Sequence, residues 1–119
     1  MENKQINEQI QSTIDNSNIV LFMKGTPDAP QCGFSMAVSN ILKVSKVDFT
    51  GVDVLADQNL REGIKVFSDW PTIPQLYVKG EFIGGCDILL QMHQSGELIE
   101  ELQKIGIKSA LLTDEEGNK

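Results

Sequence analysis

Lys24-Gly25-Thr26-Pro27-Asp28-Ala29-Pro30-Gln31-Cys32-Gly33-Phe34-Ser35 is the stretch on which the reading of this chain turns. Just before it, Ile19-Val20-Leu21-Phe22-Met23 is an unbroken apolar run, the pattern of a strand covered on both faces. Just after it, Phe34, Ala37, Val38, Ile41 and Leu42 recur at helical spacing, so one stripe of a helix faces a core. Cys32 therefore falls at the start of a helix, beyond the C-terminal end of a buried strand. Unpaired N–H groups and the positive end of the helix dipole favour an anion there, and a cysteine supplies one as a thiolate. Lys24 adds a second positive group if the loop folds back. The expected result is a thiol with a pKa below the ~8.5 of free cysteine.

A second cysteine three residues on would make the Cys-x-x-Cys pair that redox proteins place after a strand. Here that position is Ser35. A hydroxyl is far too weakly acidic to attack a mixed disulfide, so the site has one working sulfur. The competing reading is a buried structural cysteine, since free cysteine is among the most buried residue types. The Gly- and Pro-rich loop around Cys32 speaks against it.

Working outward, residues 3–16 read as a helix with a narrow stripe of Ile6, Ile10 and Ile14, closed by Asn16-Ser17-Asn18. Val47 to Val54 has the β-branched and aromatic content of a second strand, weakened by Gly51. Asp57 is a plausible N-cap, and Leu60, Ile64 and Phe67 space out one face of the next helix. The resulting β-α-β-α order predicts parallel strands joined by a right-handed crossover. Trp70-Pro71-Thr72-Ile73-Pro74 then leads rigidly into a short strand, Gln75 to Val78. Lys79-Gly80 supplies a turn, and Glu81-Phe82-Ile83 returns antiparallel. Gly84-Gly85 breaks that strand ahead of Cys86-Asp87 and a helix from Ile88 to Gln94. Leu98, Leu102 and Ile105 mark a last helix ended by Gly106. Residues 1–106 thus form the expected domain, with 1–17 as its N-terminal helix, and the polar residues 107–119 are expected to be a flexible tail.

Composition narrows the function classes. At 119 residues the chain suits one domain with a real core. A formal net charge of −7 argues against a general nucleic-acid binder. Two cysteines make no disulfide framework, so a reducing compartment is expected. No apolar run approaches the ~20 residues of a membrane span. Glu2, Glu8 and Asp15 fit neither a signal-peptide core nor a transit peptide, so the expected location is the cytoplasm. His93 has no second ligand at metal spacing, and Trp70 and Tyr77 read as packing groups.

Cys32-Gly33-Phe34-Ser35, with Lys24 upstream and Trp70-Pro71-Thr72-Ile73-Pro74-Gln75 and Gly84-Gly85-Cys86-Asp87 downstream, resembles the monothiol glutaredoxins of the CGFS class. The resemblance runs from about residue 5 to 106, and the three motifs fall in that family's order and spacing. The long loop between Lys24 and Cys32 also resembles this class rather than the dithiol glutaredoxins. It implies an α/β, thioredoxin-like (glutaredoxin) fold, with a central four-stranded mixed sheet flanked by helices. It implies glutathione as ligand, with Cys32 as the catalytic thiol. By the same resemblance Lys24 and Arg61 take the glycine carboxylate, for which a planar guanidinium is suited. Pro74 resembles the family's cis-proline, which would leave the backbone of Ile73 free to pair with the ligand's cysteinyl unit. Gly84 and Gly85 let the chain turn, so that the N–H groups of Cys86 and Asp87 can meet the γ-glutamyl carboxylate. The Asp87 side chain would hold the ammonium, although it also reads as a simple N-cap. Cys86 is expected to contribute backbone rather than sulfur.

Two functions follow from the resemblance. In the first, the protein carries a [2Fe–2S] cluster in iron–sulfur protein biogenesis. Such a cluster normally takes four thiolates. Cys32 is the metal ligand, shared with a second protomer, and two glutathione thiols complete the set. The implied partners are a second copy in a cluster-bridged homodimer, a BolA-like protein in a heterodimer, and iron–sulfur apoproteins as recipients. In the second, the protein is a glutathione-dependent thiol–disulfide oxidoreductase that removes glutathione from protein mixed disulfides. The resemblance favours the carrier, leaving any enzyme activity weak.

Overall fold

The structure, a computed structural model, describes residues 2–104 and 106. Helix α1 (Glu2–Asp15) leads into strand β1 (Ile19–Met23), and two two-residue strands follow, β2 (Gly25–Thr26) and β3 (Ala29–Pro30). Helix α2 (Gly33–Val44), strand β4 (Thr50–Asp53) and helix α3 (Gln58–Ser68) come next. The chain then forms β5 (Gln75–Val78), β6 (Glu81–Gly84), α4 (Cys86–Ser95) and α5 (Glu97–Lys104). Ile105 and the expected flexible tail from 107 onward lie outside the described residues.

The main sheet has the order β4-β1-β5-β6, with β4 parallel to β1 and β5 antiparallel to it. This is the expected mixed four-stranded sheet with helices on both faces. All five residues of β1 are buried, as an apolar run in a central strand should be. Alternation along β1 sorts them between two cores. Ile19, Leu21 and Met23 pack with Val38, Ile41 and Leu42 of α2, Leu89 of α4, and Leu98 and Leu102 of α5. Val20 and Phe22 pack on the other face with Ile10 and Ile14 of α1, Leu60 and Ile64 of α3, and Tyr77. Tyr77 is a packing residue, set edge-on to Phe22 at 5.6 Å.

Three sequence expectations are corrected. The second strand is only Thr50–Asp53, its pairing with β1 starting at Val20–Thr50, and the chain leaves α2 through Lys46 at φ 56. Val47 is buried in the α2-side core without being a strand residue. Gly51 is there for space: a Cβ would lie 2.5 Å from Cγ of Pro27. Helix α4 begins at Cys86, two residues before Ile88. Phe34 is no core residue, being 63% exposed in the first turn of α2.

The loop before Cys32 is also ordered. Gly25 pairs with Pro30 and Thr26 with Ala29, making β2–β3 a small hairpin. The Gln31 N–H donates to the Lys24 carbonyl at 2.9 Å. The hairpin is tied to the sheet through Asp53, whose Oδ1 accepts from the N–H of Gly25 (2.9 Å) and of Leu55 (2.8 Å).

Candidate functional site

Cys32 is the N-cap of α2, with extended backbone (φ −153, ψ 138) and no closed side-chain cap bond. Its pKa is lowered, first by the N–H of Ser35, then by the N–H of Phe34, the charge of Lys24 and the Ser35 hydroxyl; desolvation pulls the other way. The cap therefore acts on the thiolate, through orphan N–H groups that a neutral thiol uses poorly.

Ser35 does more than replace a second cysteine. It is buried, and its Oγ accepts from the Lys24 N–H at 3.0 Å. The end of β1 is thereby fastened to the first turn of α2, which sets Lys24 beside Cys32. A thiol would make this bond weakly, sulfur being a poor acceptor.

A cavity of about 400 Å³ lies at the same end of the sheet, within the size range of small-molecule sites. It gathers Ile73, Pro74, Gly85, Cys86 and Asp87 from the residues named above, together with Phe34, Trp70, Thr72 and Ile88. The Ile73–Pro74 peptide is cis, the conformation the resemblance implies. Gly85, not Asp87, is the N-cap of α4, so the N-cap reading of Asp87 is set aside. Asp87 stands exposed inside the first turn, and the Leu89 N–H is the first to reach back, to the Gly85 carbonyl at 3.1 Å. The N–H groups of Cys86, Asp87 and Ile88 are left for an anion.

Lys24, Cys32, Gly84 and Arg61 do not line this cavity. Cys32 stands beside it, two residues before the lining residue Phe34, and Lys24 acts on Cys32 by its charge. Gly84 is buried at φ 156, where a Cβ would meet Ile88 at 3.0 Å. Arg61 stands in the first turn of α3, its buried Nε lacking a hydrogen-bond partner among the described residues. Cys86 is half-buried with its pKa raised, chiefly by desolvation and then by the charges of Asp87 and Cys32. The two sulfurs, shifted in opposite directions, thus sit within electrostatic reach of each other.

Sequence reasoning missed Phe34, Trp70, Thr72 and Ile88 as cavity residues. Helical spacing assigned Phe34 to the core, although its place beside Cys32 was a signal. Trp70 packs on Phe82 at 5.6 Å as expected, yet also lines the cavity beneath Gly85. Among the described residues no group of three or more His, Cys, Asp or Glu could hold a metal ion. Nor is any described helix long and apolar enough to cross a membrane.

The glutaredoxin family model matches residues 19–83, which take in β1 through Ile83 of β6. Glutaredoxin-related protein 5, mitochondrial, of Danio rerio is 57% identical over 113 residues, 94% of this chain and 73% of that protein. Monothiol glutaredoxin-5, mitochondrial, of Saccharomyces cerevisiae is 50% identical over 115 residues, 94% of this chain and 75% of that protein. Among solved structures, a monomeric truncated mutant of Trypanosoma brucei 1-C-Grx1 superposes with a TM-score of 0.80 at 41% identity, covering 87% of this chain and 94% of that one. With Ser35 in the place of a second thiol, the chain belongs to the glutaredoxin family as one of its monothiol members.

Proposed function

We propose that the protein binds glutathione in the cavity beside Cys32 and carries a [2Fe–2S] cluster as cargo between two chains. One observation supports this above the others: a single cysteine of lowered pKa stands at the start of α2 beside the cavity, and Ser35 of the same turn is spent on holding Lys24. Four thiolates are needed, and this chain offers one. Cys86 is a poor second ligand, since desolvation holds it as a thiol. A second chain and two glutathione sulfurs supply the remaining three.

In this reading the N–H groups opening α4 take the γ-glutamyl carboxylate, and Asp87 takes the ammonium. The backbone of Ile73 pairs with the cysteinyl unit, which brings the ligand's sulfur toward Cys32. Lys24 and Arg61 take the glycine carboxylate. Iron–sulfur apoproteins are the proposed recipients, and a BolA-like protein the alternative second chain. A reducing compartment is required; the cytoplasm is proposed, with the mitochondrion as the rival that the relatives' names raise.

The lowered pKa of Cys32 also favours a second reading, thiol–disulfide exchange. The Cys32 thiolate would attack the glutathione sulfur of a mixed disulfide, expelling the protein thiolate. A second glutathione thiolate would then attack the Cys32–glutathione disulfide, releasing glutathione disulfide and restoring Cys32.

Anaerobic reconstitution with iron, sulfide and glutathione separates the two. The carrier reading expects a coloured dimer that forms only with glutathione, is abolished by Cys32→Ser and is kept by Cys86→Ser. A coloured monomer without glutathione contradicts it. Colourless protein that still reduces a glutathione mixed disulfide favours the second reading.

A further inference from the structure

Gln75 opens β5 in the middle of the sheet, paired with Phe22 of β1, and its side chain is wholly buried. Among the described residues no other polar side chain of its size is fully buried. An amide there costs free energy unless its hydrogen bonds are met. They are met by three groups. Nε2 donates to the Trp70 carbonyl at 3.1 Å and to the Thr72 carbonyl at 3.2 Å, and Oε1 accepts from the Tyr77 hydroxyl at 3.3 Å. Burial raises the Tyr77 pKa, so the hydroxyl keeps the proton it donates. Leu76 and Val78 of the same strand are buried apolar residues, so packing alone calls for no amide at position 75.

The two carbonyls belong to the wall of the glutathione cavity. Trp70, Thr72 and Ile73 line that cavity, whereas Gln75 does not. On the glutathione reading above, we infer that Gln75 is a positioning residue for the ligand, holding the backbone at Trp70 and Thr72 so that the Ile73 N–H faces it, with Tyr77 fixing the amide's orientation. A peptide unit is planar, and in its trans form the C=O and N–H of one unit point opposite ways. The Thr72–Ile73 peptide is trans, and its carbonyl turns inward to the buried amide. Its N–H, that of Ile73, is thereby turned outward, where an extended ligand can pair with it.

Rotating that unit to hide the N–H would break the Thr72 bond and leave a buried donor unmet. The Trp70 carbonyl gives a second hold two residues earlier, so the wall is fixed at two points. A half-turn of the amide would set Oε1 against both carbonyls. The Tyr77 hydroxyl, donating to Oε1, holds the other orientation.

Calorimetry with reduced glutathione, on the full-length apo protein and on Gln75→Leu and Tyr77→Phe, tests this. Gln75→Leu nearly keeps the volume and loses both donors, so the dissociation constant should rise about tenfold. Tyr77→Phe keeps the ring that packs on Phe22 and should raise it about threefold. In both variants the Ile73 amide resonance of the apo protein should move, while the alkylation midpoint of Cys32 stays in place. Well below the melting temperature, a loss of stability alone leaves the affinity of the folded chain unchanged, so the affinity reads position. Glutathione bound equally by all three proteins overturns the inference alone. So does weaker binding with an unmoved Ile73 amide or a displaced Cys32 midpoint, which would place the effect elsewhere. If Gln75→Leu fails to fold, Tyr77→Phe decides by the same readouts. Unmodified protein that binds no glutathione overturns the glutathione reading and this inference with it.

Discussion

At Cys32 the chemistry rests on a few N–H groups and one charge. Because the folded pKa is depressed, the folded state gains from the thiolate at pH above the unfolded value of ~8.5, and the gain is lost as pH falls through the lowered value. Cys86 has the opposite sign: its raised pKa contributes below the unfolded value and is lost as pH rises through the folded one. Alkylation rate against pH should therefore show Cys32 with a midpoint below ~8.5 and Cys86 reacting later. Ser35→Ala keeps the N–H that acts most strongly and removes the hydroxyl, so it should raise the Cys32 midpoint only in part. A Cys32 midpoint at ~8.5 in the unmodified protein contradicts the assigned cause.

At the scale of elements, the β2–β3 hairpin sets the approach to Cys32, and its seating depends on a contact with β4. Gly51 leaves room for the Pro27 ring, and Asp53 holds the Gly25 N–H. Gly51→Ala should cost roughly 1–3 kcal/mol through overpacking. Pro27→Ala removes the ring atoms involved, so the double variant should recover most of that loss. Denaturant midpoints of the two single variants and the double variant measure the coupling. Strictly additive losses would mean that the ring and the strand do not compete for the same space.

For the whole molecule, the proposed ligand would be held by Lys24 after β1, Arg61 of α3, Ile73 before β5 and the start of α4. A ligand that binds only the folded chain raises its stability by mass action. Millimolar reduced glutathione should raise the melting temperature of the apo protein, more at higher concentration. Asp87→Ala and Arg61→Ala should each shrink the shift, having lost a charge-assisted contact of ~1–3 kcal/mol. Shifts unchanged in both variants would remove these two side chains from the site, even with cluster assembly intact.

What the sequence by itself determined was the local grammar. The run Ile19 to Met23 read as a covered strand and is one, Asp57 capped α3 as its type suggests, and Lys79-Gly80 turned with both residues at positive φ. Cys32 at a helix start followed from the same kind of evidence, since period and punctuation are properties of neighbours in the chain. The tertiary structure decided what depends on residues far apart. Gly51 reads as a strand weakness until Pro27, twenty-four positions earlier, is seen against it. Phe34 matches the core stripe by spacing, yet faces the cavity because Trp70 and Ile88 arrive there from other elements. Ser35 looked like a missing thiol, and only the return of Lys24 to within 3.0 Å shows that its hydroxyl holds the loop. Periodicity records which face a residue shares with its neighbours, whereas what lies opposite that face is set by packing between distant segments.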